Sequence, residues 1–534
     1  MKRQSVLVGA LVLALGGIIA KLVGALYKIP LTNILGSNGM GLYYLVFPLY
    51  SLLLVLISSG TSIAVSRLVS TERINNNKHN ELMIFKTSLI FVFALSVIFS
   101  CVLIAFSENI AILQGNANAK VGYIAIAPSI IFASLISVIR GYFQGQENMV
   151  PTLLNNIAEQ AVKLVSGLIL ANYFMRKGVI FAVFGAILGV TISEFFAFIF
   201  IMINYVSYKR KVVYKIETPK TPNLTYAQTF KKIVSYAYPA TLSAIVIPIT
   251  TFLDSFLIIN ILTKSGFSSL QATNLYGISN GIVSALINLP VLLCGALATA
   301  IVPNLSGLYA QNNEKEVIFK TSFFIKITWI ISLFFFIVFL IFAPDIISIL
   351  YQKGLTDIVI DEYTFAYKLL MISSVSIIYY AFLQTFTSIL QSINRPIVPF
   401  ISLIISLIVR EISIFLFVSN PKLNIFGVAI SNLIFLSMAT LINLKYIKSY
   451  VQLNYSFTKL IVSPIASAIV AGVSMYFLKI LLSGLNVFVY TLISGGVGTL
   501  IYFALIFAFR SFNYAELKCF RRKKIVNAKY VKNW

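Results

Sequence analysis

Long apolar runs recur along the whole chain, about fourteen of them at roughly twenty residues or more, with short polar turns between. Their centres lie near Gly17, Leu54, Ala94, Ile131, Leu164, Thr191, Pro248, Ala285, Leu333, Ile378, Ile405, Leu436, Ala471 and Gly498. A helix rising about 1.5 Å per residue needs about twenty residues to cross a hydrocarbon layer about 30 Å thick, so each run reads as a membrane-spanning helix. Composition agrees. Of 534 residues, 59% are hydrophobic and 11% charged, more apolar surface than a water-soluble core can enclose. The reading is an all-α polytopic membrane protein with no soluble domain of any size. Lys2 and Arg3 precede an apolar run that continues to Pro30 without a small-residue cleavage site, so it is read as a retained first span.

A net charge of +25 would suit nucleic acid if it were clustered, but these cations sit in short loops and a tail, which speaks against a nucleic-acid partner. With the N-terminus inside, the inner segments collect roughly 28 Lys and Arg and the outer loops about six. Both termini are therefore expected in the cytoplasm. Basic residues at 209–232 and 518–532 are placed to bind anionic membrane lipids. Cys101, Cys294 and Cys519 have no paired spacing and His79 stands alone in a polar loop, so neither a disulfide framework nor a metal site is expected.

Charges inside the spans are costly and mark function by default. The deep ones are Lys21, Glu159, Lys163, Asp254, Arg410 and Glu411, whereas Lys28, Lys326, Lys368 and Lys479 fall nearer the interfaces, where snorkelling explains them. Glu159 and Lys163 are spaced for a salt bridge along one helix face, or for direct contact with substrate. Lys21 and Lys28, two turns apart with Gly24 between, make a cationic stripe suited to a pyrophosphate. Asp254 and Arg410 come at similar depth in spans 7 and 11 and are expected to pair, with Glu411 beside them; these three are the candidate coupling or gating residues. Glu194 is read as a packing or gating residue close to the inner interface.

The chain also looks duplicated. Residues 144–151 are echoed at 391–399, and FPLYSLLLVL from Phe47 by LPVLLCGAL from Leu289, at offsets of about 242 to 248 residues. That implies two pseudo-symmetric six-helix lobes around a central cavity, 1–217 and 218–450, then an added pair of spans at 451–512 and a basic cytoplasmic tail at 513–534. The acids total 16, with one close external group, Asp357, Asp361 and Glu362. There is no DxD pair, no large external loop and no GxxxxGK[ST], so neither a membrane-embedded glycosyltransferase nor an ATP-driven pump is supported, and no cofactor is expected.

One stretch carries a resemblance. Residues 140–160 read RGYFQGQENMVPTLLNNIAEQ, two apolar segments joined by a polar turn, with Pro151 at the start of the second. The pattern RGYFQGQxxMxPT followed by EQ resembles the stage V sporulation protein B branch of the multidrug/oligosaccharidyl-lipid/polysaccharide exporter superfamily. The resemblance implies a flippase of the bacterial cytoplasmic membrane that moves a lipid-linked saccharide, with the peptidoglycan precursor lipid II the usual substrate and cell-wall or spore-cortex synthesis proteins as partners. It also gives Arg67 a place among the substrate-binding residues, with Lys21, Lys28, Glu159 and Lys163, and leads one to expect an added helix pair outside the two lobes. Some superfamily members hold sodium between an aspartate of span 7 and acidic groups of spans 11 and 12; Arg410 and Glu411 put sodium in doubt here. Another lipid-linked polysaccharide unit, or a drug, is the alternative cargo.

Overall fold

Gly36 breaks the first long helix, α1 (Val6–Leu54), with a φ of 69° that favours glycine. Lys28 Nζ lies 5.1 Å from the ring of Tyr44, residues equally far from Gly36 on either side, so the halves of α1 lie back to back. The computed structural model describes residues 6–212, 224–355, 361–451, 458–509 and 511. Asp357, residues 213–223 of the basic stretch at 209–232, residues 518–532 and the side chain of Lys21 lie outside the described residues.

A π turn, Val55–Ser59, joins α1 to α2 (Gly60–Ile74), followed by α3 (Lys78–Ala105), the short α4 (Ser107–Leu113), α5 (Lys120–Gly145), α6 (Val150–Met175) and α7 (Val179–Val212). The second half comprises α8 (Tyr226–Ala244), α9 (Val246–Lys264), α10 (Ser269–Gly277), α11 (Ser284–Ala310), α12 (Glu314–Tyr351), α13 (Glu362–Ser392), α14 (Ile397–Val418) and α15 (Phe426–Tyr450). Last come α16 (Ser463–Leu481) and α17 (Val487–Ala508). Local chemistry sets many of the starts. Asn77, Asn313 and Asp361 each accept from an amide of the first turn they cap, and Thr225 and Ser268 form capping boxes with Gln228 and Gln271. Pro151 falls in the first turn of α6, as its ring requires. Span 7 is interrupted between α8 and α9, where Pro248 has no amide to give residue 244 and its ring crowds that carbonyl.

Twelve described segments are long and apolar enough to cross a membrane, against the fourteen expected. The segment Leu22–Ile74 contains the Gly36 bend and counts once, and α6, which carries Glu159, Lys163 and three asparagines, falls short in apolarity.

Successive helices reverse direction, so the turns at 75–77, 146–149, 311–313 and 393–396 share one end, called here the Asn77 end. Gly36 and the turns at 176–178, 265–268 and 419–425 share the other, the Gly36 end. At the Asn77 end each turn has one residue in the left-handed region, Asn76, Glu147, Asn312 and Asn394. Asn312 follows Asn76 by 236 residues and Asn394 follows Glu147 by 247, so the repeat is present but its offset lengthens between spans 8 and 10. The echo of residues 144–151 at 391–399 is in register. The echo placed at Phe47 and Leu289 is not, because spans 2 and 8 carry the shorter offset.

The two halves meet around that pseudo-twofold at the Gly36 end. Asn38 Nδ2 donates to Asn274 Oδ1 at 2.9 Å across 236 residues, which puts the pair on the axis. A Cβ on Gly41 would stand 2.2 Å from the Thr273 carbonyl oxygen, and one on Gly277 2.0 Å from that of Ser37. These contacts exchange under the same offset, as an isologous interface demands.

The signature stretch packs the first lobe together. A Cβ on Gly141 would meet the Ser62 carbonyl at 2.6 Å and one on Gly145 the Ser66 carbonyl at 2.7 Å, so α5 and α2 touch backbone to backbone. Gln146 donates to Glu81, a fully buried carboxylate also held by Lys78 at 2.8 Å. Gly145→Val is accordingly expected to force α5 off α2 and to lower membrane abundance severely, read by quantitative immunoblot of the membrane fraction, while Gly307→Ala, at a helical glycine with open space around it, is expected to cost far less.

The helices α16 and α17 pair with each other and pack on α12. Asp345 of α12 accepts from both Lys479 of α16 and Tyr490 of α17. At the opposite end Lys326 donates to the Ser511 carbonyl at 3.0 Å. Lys326 and Lys479 are thus not simply snorkelling cations: Lys326 is buried and Lys479 is ion-paired, because the added pair covers this flank of α12. Lys368, by contrast, is exposed.

Candidate functional site: two buried ionic clusters

The first cluster lies in the first lobe. Arg140, near the end of α5, donates to Glu159 of α6 at 2.7 Å. Asn155, with its amide oxygen toward Arg140, accepts at 2.8 Å and donates to the Ala197 carbonyl of α7 at 2.7 Å. The pairing of Glu159 with Lys163 along one helix is therefore corrected: the carboxylate is held by Arg140 and, at 3.0 Å, by Gln160. Arg140, at the end of its span, reads from sequence as one of the charges that set orientation. The signal that could have found it is the register of the turn, which places residues 140 and 155 opposite each other.

Lys163 is left facing aromatic rings, 5.9 Å from that of Tyr27 and 5.6 Å from that of Phe47. Lys28 lies over Tyr44, one turn before Phe47 on the same helix. Among the described residues neither lysine forms an ion pair. Glu194 is buried in mid-helix because α7 runs on to Val212, which moves it away from the inner interface; the Tyr50 hydroxyl faces it, and Glu159, Arg140 and Lys163 lie within electrostatic reach.

Arg67 does not join this cluster. Its guanidinium lies 4.7 Å from the ring of Tyr236 on α8, and the 23 residues from Tyr44 to Arg67 amount to about 35 Å of helix. One pyrophosphate cannot touch both Lys28 and Arg67 in this state. At Arg67 the two halves meet at the Asn77 end, where a Cβ on Gly60 would stand 2.2 Å from the Ala237 carbonyl.

The second cluster lies between α9, α14 and α15. Arg410 grips Asp254 with both terminal nitrogens, at 2.8 and 2.7 Å, donates to Glu411 at 2.8 Å and through Nε to Asn432 at 2.8 Å. The fork geometry of guanidinium and carboxylate accounts for the bidentate pairing of Asp254 with Arg410. Two carboxylates share one guanidinium, and Glu411 Oε2 is buried without a hydrogen-bond partner. Asn432 was not legible beforehand, since an asparagine in an apolar run carries no charge to flag it.

The expected external acid group is divided. Asp361 is an exposed cap whose bonds from Thr364, side chain first and then backbone, hold its carboxyl below the usual range, while Glu362 is fully buried. Stability from the cap is present above the unfolded pKa and is lost as pH falls through the lower folded value. Asp361→Ala is expected to cost about 1 kcal/mol at neutral pH and less in acid, read by thermal unfolding in detergent. No group of three His, Cys, Asp or Glu that could hold a metal occurs among the described residues.

The pattern of the polysaccharide biosynthesis protein family matches residues 6–309. The chain belongs to that family. A second pattern, MatE, matches residues 239–416. Stage V sporulation protein B of Bacillus subtilis (strain 168) is 24% identical over 445 residues, 83% of each chain. Lipid II flippase MurJ of the same organism is 24% identical over 428 residues, 75% of each. Among solved structures, lipid II flippase MurJ in an inward closed conformation superposes with a TM-score of 0.70 at 17% identity, covering 94% of this chain and 99% of that one. An inward-facing multidrug resistance transporter of the superfamily gives 0.66 at 16% identity, covering 81% and 94%. The fold is that of these transporters, and the protein is a multi-pass membrane protein.

Proposed function

We propose that this protein flips an undecaprenyl-pyrophosphate-linked saccharide, lipid II foremost, across the cytoplasmic membrane by alternating access of its two lobes. The observation that carries the reading is the pair Lys28 and Lys163, cations set on one aromatic face of the first lobe without a carboxylate partner among the described residues. A cation inside a membrane span that forms no ion pair is costly unless water or an anionic ligand meets it, and a pyrophosphate has the charge and the acceptors to do so. Lys21, seven residues before Lys28 on α1, lies nearer the Asn77 end and is proposed as a further cation for the same ligand. Both termini are assigned to the cytoplasm, so the Asn77 end faces in and the Gly36 end faces out. The lobes span 1–217 and 218–450, with the added pair outside them. The names of the relatives support the cargo class.

The test is flipping in proteoliposomes of lipid II against other polyprenyl-linked sugars and a cationic drug. Selective movement of lipid II is the expected result. Transport of the drug alone would overturn the reading. Replacing sodium by potassium is expected to leave the rate unchanged, because the Arg410 guanidinium already neutralises Asp254.

A further inference from the structure

Glu362 is a carboxylate with no accessible surface at the first turn of α13. Its Oε1 accepts from Ser37 Oγ at 2.6 Å and from Asn274 Nδ2 at 2.7 Å. Ser37 belongs to the first lobe and Asn274 to the second, and Asn274 is also the partner of Asn38 on the pseudo-twofold axis. The carboxylate therefore reaches across the seam where the lobes meet.

The pseudo-twofold supplies a mate for this contact. Thr273 corresponds to Ser37 under the 236-residue offset, and its hydroxyl accepts from Asn116 Nδ2 at 2.9 Å. Asn116 lies just before α5 as Glu362 lies at the start of α13. Each lobe thus sends a polar side chain from the loop before its fourth helix to the hydroxyl that opens the second helix of the other lobe. One arm is a neutral amide. The other is a buried carboxylate that accepts two bonds, one from each lobe. Asn33 adds a bond to the Leu350 carbonyl at 2.7 Å, and Gly41 and Gly277 let the backbones close to carbonyl contact.

We propose that Glu362 is the latch of the outer seam: its carboxylate, bonded to Ser37 and Asn274, holds the Gly36 ends of the lobes together and sets how readily the carrier opens outward. Opening must separate Ser37 from Glu362 and leave the carboxylate to water. The proposal rests on alternating access, but not on which lipid is carried.

The test reads opening directly and without substrate. Spin labels are placed on Lys177→Cys and Lys422→Cys, exposed residues of the two lobes at the outer end, in a background lacking Cys101, Cys294 and Cys519. Interlobe distances are measured in nanodiscs. Glu362→Ala is expected to raise the long-distance population about tenfold or more, and Glu362→Gln, which keeps an acceptor, by less. A control pair at Asn118→Cys and Lys177→Cys, both in the first lobe, is expected to stay unchanged. An unshifted interlobe distribution in folded, monodisperse Glu362→Ala would overturn the latch. If that variant does not fold, Ser37→Ala with Asn274→Ala leaves the carboxylate in place and decides the matter: a longer population supports the latch, and an unchanged one overturns it. Lipid II flipping is assayed separately, so failure of the cargo assignment leaves the distance result standing.

Discussion

Arg410→Ala is expected to destabilise the protein by about 3–5 kcal/mol, the largest effect of any single substitution considered, because it strands charges rather than merely removing a bond. The guanidinium satisfies Asp254 through two bonds and Glu411 through a third, and it is buried. Without it two carboxylates lie between apolar helices with no counter-charge beside them. They then protonate, recruit a cation or pull the helices apart. The thermal midpoint in detergent should drop sharply. Adding Asp254→Asn to Arg410→Ala should recover part of the loss, since the two substitutions share one network and are not additive. The variant has a second signature. Wild type is expected to unfold at the same temperature in sodium and in potassium, whereas Arg410→Ala, with its cationic position vacated, is expected to gain stability as sodium rises. A sodium-dependent midpoint in wild type would remove the argument that arginine stands in for the ion.

Lys163→Ala is expected to reduce lipid II flipping by about ten- to a hundredfold while leaving membrane abundance unchanged. A hydrogen bond from a charged donor contributes about 1.5–3 kcal/mol, and on the reading above the partner of Lys163 is the pyrophosphate. Since the lysine has no ion pair among the described residues, its loss breaks no salt bridge, which separates this substitution from Arg410→Ala. Lys163→Arg should retain part of the activity. Lys28→Ala should act in the same direction, and Lys368→Ala, at an exposed residue, should do nothing. Equal flipping by Lys163→Ala and wild type would dismiss the first-lobe cations as the anion site.

Arg67→Ala now carries a different expectation from Lys28→Ala. Arg67 sits against Tyr236 where the lobes meet toward the Asn77 end, so its removal should change the balance between the two access states more than substrate affinity. Spacing along span 2 did not reveal this. Two basic residues on successive spans look equivalent in sequence, and only the bend at Gly36 shows that Lys28 lies beside the start of span 2 and Arg67 near its end.

The sequence by itself determined the solvent, the class and much of the wiring. Apolar runs of membrane length leave helices as the local solution, because backbone groups in hydrocarbon must pair within the segment. Pro151 marked the start of α6. Asp254 and Arg410 were legible as a pair because buried charges are few and must find each other. Tertiary structure alone decided the partners where several were open. Glu159 chose Arg140 of another helix over the lysine one turn away, since the guanidinium brought across from α5 and the Gln160 amide each hold one carboxylate oxygen while the i, i+4 lysine faces Tyr27 and Phe47. It also decided that Glu362, outwardly one of three loop acids, is buried at the seam. Burial depends on which helix ends meet, and the meeting of Gly41 and Gly277 with facing carbonyls is a contact between residues 236 positions apart in register, which no local pattern encodes.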